Sequence, residues 1–415
     1  MTERTLWVDR KQGIDRRDLM TAAAGLFAGV MGAPRFVGQA MAQSEPFRVG
    51  WVRPTTGRLV SSFTMLYVGG LVAIEEINAA GGIMGRPIVK QEEDDEASPA
   101  KEPAIVRKLQ ESGINYMCGP TGSSQSLASL AATTSGKVIQ AAFGNAAELG
   151  DASKYPYNYQ LLFNSNQQAE VCVRYLAETL RLKKIGILQE NTAFGEQATA
   201  ASLAAMKKIG LEPVRIEIYS QTAPDLSAYL TNLRKAGAEG LLAWMASVPS
   251  LAMCYNGLHA QKWYPPITGH NGVFYESLFN LVPDEALRNV TGTLYKTLLW
   301  TDKRPIGARQ QAYAKKLTAY PETKGSATAT AGAPFYDFLY LLKTVIEAEK
   351  SFDVEKVKRA LDNVQGYDGM LGKITLTPQN HTGISIDQIS LGTALSGKDP
   401  RAMGVFREEA AGLTG

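Results

Sequence analysis

From residue 47 onward the chain alternates short, nearly continuous apolar runs with longer stretches in which apolar residues return every three or four positions. A strand covered on both faces has no polar side and reads as such a run, whereas a helix packed on one face keeps the longer period. Strands are predicted over 47–52, 88–94, 114–117, 138–143 and 159–163, and helices over 62–78, 99–112 and 123–136. In the helix over 62–78, Leu66, Gly70, Ala73, Ile74 and Ile77 share one face. A second set follows: strands over 184–188, 213–219, 240–245 and 266–268, and helices over 167–182, 196–209, 225–236 and 249–261. Regular alternation of this kind predicts an α/β fold of two doubly wound parallel sheets. The C-terminal part breaks the pattern, with a strand over 292–299, three helices within 307–362 and strands over 372–377 and 385–391.

One stretch carries candidate chemistry. Gly119-Pro120-Thr121-Gly122 reads as a tight turn after a strand, and Ser123-Ser124-Gln125-Ser126 as the capped start of a helix. The free N–H groups at such a helix start form a pocket for an anion or a carbonyl oxygen. Gly81, Gly82 and Gly85 follow a helix, where a phosphate loop must follow a strand, so they read as a turn. The acidic run 92–96 alternates between the two faces of a strand end and has no histidine nearby, so no metal site is expected.

At 415 residues the chain exceeds one ordinary core, and two lobes are expected. Residues 1–42 read as a twin-arginine export signal: Arg16-Arg17, a weakly apolar run over 21–33, Arg35, and Ala40-Met41-Ala42 as the cleavage site. Removing its six basic and four acidic residues brings the formal net charge from +3 to about +1. No basic patch with interleaved aromatics is present, which argues against a nucleic-acid partner. Cys118, Cys172 and Cys254 lie far apart in apolar contexts and are expected to be buried free thiols. His259, His270 and His381 have no metal-ligand spacing, and no nucleophile elbow, phosphate loop or zinc-protease motif occurs. Neither an enzyme nor a cofactor is expected.

The order of motifs is similar to that of the periplasmic branched-chain amino-acid-binding proteins, the type I solute-binding components of ABC importers, a family that includes amide and urea receptors. The resemblance rests on Val49-Gly50 with Thr56-Gly57, on residues 73–83 (AIEEINAAGGI), on Asp94-Asp95, on Gly119 with Ser123-Ser124, on Phe194-Gly195-Glu196, on Asp225-Leu226, on Gly372-Lys373-Ile374 and on Asn380-His381-Thr382-Gly383. It implies two lobes joined by three hinge crossings near Leu162-Phe163, Thr293-Leu294 and Ile374-Leu376, with ligand trapped between them. The lobes would be 43–163 plus 294–374 and 164–293 plus 375–395, with 396–415 as a tail. The family's carboxylate-binding serines fall at Ser123-Ser124, beside Gly122; its small residue and threonine fall at Gly144-Asn145. Its first-loop aromatic falls at Ser62, its second-lobe tyrosine at Phe194, and its ammonium-pairing acid at Asn271, next to Gly272. Phe143, Trp244 and Ser247 complete the candidate set. With an amide at 271, and Glu190 and Glu196 as the only near substitutes, the expected ligand is an amide, a urea-like compound or an aromatic or aliphatic carboxylate in preference to an amino acid such as a branched-chain one. ABC permease subunits would be the partner; the alternative is a sensory binding protein of the amide-regulator kind with no importer behind it.

Overall fold

A computed structural model describes residues 45–57, 59–323 and 332–411. The expected export signal therefore lies outside the described residues. The first sheet holds β1 (Phe47–Arg53), β2 (Ile88–Asp94), β3 (Tyr116–Thr121), β4 (Ile139–Phe143) and β5 (Asn158–Tyr159) in the order β2-β1-β3-β4-β5. The second holds β6 (Ile185–Glu190), β7 (Arg215–Tyr219), β8 (Gly240–Trp244) and β9 (Ile267–Gly269) in the order β7-β6-β8-β9. All pairings in both sheets are parallel. Every residue of β3, β4, β6 and β8 is buried, as a sheet with helices on both faces requires.

Each sheet reverses its strand order at one place, between β1 and β3 in the first and between β6 and β8 in the second. Helices leave to opposite faces there and open a crevice at the strands' carboxyl ends. The two crevices supply Thr121 and Gly122 from one side and Glu190 and Ala246 from the other to a single cavity.

Several elements differ from expectation. Gly119, Pro120 and Thr121 do not form a turn but continue β3, whose register against β4 shifts between Cys118 and Thr121. The cause is a close approach: Gly119 has φ of +96°, and a Cβ there would sit 2.1 Å from the Val52 carbonyl oxygen. The helix expected over 62–78 is three pieces, Val60–Phe63, a 3-10 turn Thr64–Tyr67, and Val68–Ala79. Tyr67 is drawn down onto the sheet, where its hydroxyl donates to the Val52 carbonyl and accepts from Thr121 at 2.8 Å. The strand expected over 292–299 is split into β10 (Thr291–Tyr295) and β11 (Leu299–Trp300) by a 3-10 turn. The strands expected over 372–377 and 385–391 are also shorter: only Lys373–Ile374 is strand in the former, and the latter opens with a 3-10 turn before the strand Ile389–Thr393, which pairs antiparallel with β10. The three cysteines are free and buried. Among the described residues no helix is long and apolar enough to cross a membrane.

Candidate functional site

A cavity of about 230 Å³ lies between the carboxyl ends of the two sheets. Its wall on the first sheet is built where β3 meets the helix Ser123–Gly136. Gly122, with φ of +99°, occupies the cap position, and Ser123 is already helical. The Ser123 hydroxyl is therefore not a cap. It accepts from the backbone N–H groups of Asn145 at 3.2 Å and Ala146 at 3.1 Å, which pins the helix start to the end of β4. With both lone pairs engaged, its own proton is left to donate. The Asn145 side chain donates to the Phe163 carbonyl at 2.8 Å, and the Asn145 carbonyl accepts from Ser165 N–H and hydroxyl at 2.6 and 2.8 Å. This wall presents donors: the Ser123 hydroxyl and the first N–H groups of a fourteen-residue helix with its positive dipole end.

The opposite wall carries an acid. Glu190, the last residue of β6, is 1% exposed. Its Oε1 accepts from the Thr192 hydroxyl at 2.7 Å and the Gln221 amide at 3.2 Å, and its Oε2 from the Ala246 N–H at 3.1 Å. All three are donors, so the Glu190 side-chain oxygens act here as acceptors. Gly195 makes the arrangement possible, because a Cβ there would lie 2.1 Å from the Glu190 carbonyl oxygen; the helix Ala193–Lys208 could not otherwise start so close to β6. Phe194 meets His270 edge to face, with ring centroids 4.9 Å apart. His270 Nδ1 accepts from the Gly272 N–H at 3.1 Å, so its single proton sits on Nε2. Burial pulls its pKa down to about 3, and the ring is neutral. Phe63, Phe143 and Tyr275 add apolar surface. Glu96 lies at the exposed rim, paired with Lys101 at 2.6 Å, and among the described residues no lysine or arginine lines the cavity.

Of the twelve candidates, Gly122, Ser123, Ser124, Phe143, Gly144, Asn145 and Phe194 line this cavity. Ser62, Trp244, Ser247, Asn271 and Gly272 do not. Ser62 is buried, and its hydroxyl accepts from the Val248 N–H at 3.3 Å, bridging the two sides of the cleft. Trp244 turns its indole N–H to the Ser202 hydroxyl at 3.1 Å, into the helix Ala193–Lys208. Ser247 caps the helix Val248–Ala260. Asn271 and Gly272 start a buried 3-10 turn, and the lining position passes to the preceding residue, His270. The expectation of a neutral or anionic ligand rested on an amide at 271, with Glu190 and Glu196 as the only near substitutes for an acid; Asn271 is not among the lining residues, whereas Glu190 is. The sequence signal for it was available: an acidic residue ending an apolar strand beside the reversal of strand order. His270, Thr192, Gln221 and Tyr275 were not singled out.

A family model described as periplasmic binding protein matches residues 46–386. The chain belongs to the periplasmic binding protein family. This periplasmic binding protein is 24% identical over 360 residues to the Leu/Ile/Val-binding protein BraC3 of Rhizobium johnstonii, covering 86% of this chain and 92% of that one. It is 26% identical over 205 residues to a Leu/Ile/Val-binding protein homolog of Brucella melitensis; that match covers 49% of this chain and 55% of the relative. Among solved structures it is similar to a periplasmic binding protein type 1 from Bordetella pertussis, with a TM-score of 0.75 and 20% identity over 84% of this chain and 96% of that one. LivJ from Streptococcus pneumoniae in complex with isoleucine gives a TM-score of 0.73 and 19% identity over 84% and 96%. A solute-binding protein of Rhodopseudomonas palustris in complex with 3,4-dihydroxybenzoic acid gives 0.70 and 17% over 84% and 93%. These place the fold as that of the type I periplasmic binding proteins. The family consists of substrate-binding proteins of transporters, not of enzymes, and works outside the cytoplasm.

Proposed function

We propose that this protein captures a small amino acid between two lobes and delivers it to an ABC permease. The observation that carries the reading is the polarity of the cavity. Donors on the Ser123 wall suit a carboxylate, the Glu190 side chain on the facing wall suits an ammonium, and among the described residues no lysine or arginine in the lining would compensate a lone anion. A volume of about 230 Å³ suits a solute below drug size. The names of the relatives, Leu/Ile/Val-binding proteins among them, agree with the class. The binding set we propose is Gly122, Ser123, Ser124, Phe143, Gly144, Asn145 and Phe194 with Glu190, His270 and Tyr275.

Capture needs the lobes to move. In this reading the lobes are 43–163 plus 294–374 and 164–293 plus 375–395, and the crossings lie near Leu162-Phe163, Thr293-Leu294 and Ile374-Leu376. Packing supports it: the Phe163 ring packs tilted against Tyr295, centroids 4.8 Å apart, and the Phe163 N–H donates to the Tyr295 hydroxyl at 3.1 Å. The Thr375 N–H donates to the Gly383 carbonyl at 3.0 Å, while the Gly383 N–H reaches Gln160 at 2.9 Å. Short crossings tied to one another make hinge bending the expected motion. Export by the twin-arginine route completes the proposal, and Arg16→Lys with Arg17→Lys should leave precursor in the cytoplasm.

Four aromatic rings, Phe63, Phe143, Phe194 and Tyr275, line the cavity and favour an aromatic carboxylate as the second reading. Mass spectrometry of solute released from the protein as purified from the periplasm separates the two. An amine-bearing carboxylic acid supports the first reading; an aromatic acid without an amine establishes the second.

A further inference from the structure

Three of the four sheet edges are protected. At β5 the following segment is paired, Gln160 N–H donating to the His381 carbonyl at 3.0 Å. The edge at β9 is covered by the segment 289–291, with Ile267 N–H donating to the Asn289 carbonyl at 2.9 Å. Charge guards β2, where Glu92 pairs with Arg53 and Lys90 and Glu93 with Lys108. The fourth edge, β7, is bare: among the described residues no strand pairs with it on its outer side. One of its faces shows an alternating apolar row, Val214 at 36%, Ile216 at 36% and Ile218 at 57% exposure, while Arg215 and Glu217 alternate on the other. An open strand edge with an exposed apolar row is a template for a further strand.

The order of residues along this edge identifies that strand. Val214-Arg215-Ile216-Glu217-Ile218 is self-complementary about Ile216. In an antiparallel pairing with a two-fold axis at Ile216, Val214 lies opposite Ile218 of the second copy, Arg215 opposite its Glu217, and Ile216 opposite its own equivalent. All three apolar pairs fall on the exposed face, and both charge pairs fall on the other. Within one chain Arg215 already pairs with Glu217, with Arg215 half exposed. Docking of a second copy turns that pair into a closed cluster of two cations and two anions. A parallel pairing, or a shift by one residue, sets like charges or mismatched side chains opposite each other and loses this match.

We propose that β7 is a homodimer interface, in which two chains join their second sheets edge to edge into one eight-stranded sheet. The interface is centred on Ile216, which is not among the residues lining the cavity.

Cross-linking tests the axis. Residues opposite one another in an antiparallel pair have Cα atoms about 4.5–5.5 Å apart, inside the range a disulfide spans. Under oxidation Ile216→Cys should form an interchain disulfide, whereas Ile218→Cys, displaced from its own equivalent by four residues or roughly 13 Å, should not. The native cysteines are buried and do not compete. In sedimentation, the unaltered protein should move toward twice the chain mass at about 100 µM, since an interface below about 1,200 Å² is weak. Arg215→Glu should abolish that shift and Arg215→Glu with Glu217→Arg should restore it. A chain that stays monomeric at that concentration, or equal cross-linking by Ile216→Cys and Ile218→Cys, overturns the proposal.

Discussion

The two walls of the cavity come from sheets of the same strand order, yet they carry opposite polarity. On the first, backbone N–H groups and a serine hydroxyl whose lone pairs are already taken offer donors. On the second, the buried Glu190 side chain gathers three donors and offers acceptors. The difference arises from a single position: where β3 continues through Gly119 to a cap glycine, β6 ends in Glu190 and the following helix starts against it. In the proposed reading, equivalent architecture sets where a solute sits, and the residue ending each strand sets which end of it faces which way.

The largest effect should come from erasing the difference. Glu190→Gln keeps the shape and removes the charge, and loss of one partner of a buried charge pair costs about 3 kcal/mol, roughly 100-fold in affinity for an amine-bearing ligand. Titration calorimetry reads it, and an unchanged affinity would place the ammonium elsewhere.

Ser123→Ala attacks the donor wall. It leaves the N–H groups of Asn145 and Ala146 without their acceptor, a cost of about 2 kcal/mol in stability, seen as a lower denaturant midpoint. Affinity should fall for every ligand with a carboxylate, with or without an amine.

The walls also differ in their response to pH. Beneath the first, burial and the neighbouring Asp95 carboxyl raise Glu102 to about 10 from an ordinary value of 4.5. The folded chain holds a proton that the unfolded chain has lost, so stability falls as pH rises from about 4.5 toward 10. In the second wall, burial lowers His270 from 6.5 to about 3. There the unfolded chain takes the proton first, and stability falls as pH drops from 6.5 toward 3. Thermal melts across pH should show both limbs. Glu102→Gln should flatten the alkaline one and His270→Gln the acidic one; exchange of these effects would refute the assignment.

Smaller still is the effect of the bond that joins the walls. Ser62→Ala removes the acceptor for the Val248 N–H, worth about 1 kcal/mol or roughly fivefold in affinity. Because closure serves any occupant, this loss should be the same for ligands with and without an amine. A loss confined to one class would make Ser62 part of the recognition itself.

Much of the scaffold was legible because parallel strands covered on both faces leave unbroken apolar runs, as at Gly240–Trp244. The continuation of β3 through Gly119 was not, since it depends on the Val52 carbonyl approaching from a strand more than sixty residues away. In the site, the Ser123 and Phe194 positions could be found from helix starts next to glycines. Asn271 and His270 could not be told apart, because a turn of one residue decides which faces the cavity and periodicity does not reach into a 3-10 turn. Trp244 ends β8 as Glu190 ends β6, but its side chain points into the helix Ala193–Lys208, a choice set by the Ser202 hydroxyl rather than by local pattern.

The central claim is that the Glu190 wall reads an amine. Calorimetry with leucine and with 4-methylpentanoate, which differ only in that amine, tests it most directly. The account predicts that leucine binds and 4-methylpentanoate falls below it by about 3 kcal/mol, roughly 100-fold, with the gap closing in Glu190→Gln. Equal binding of the two by the unaltered protein, or tighter binding of 4-methylpentanoate, would contradict it.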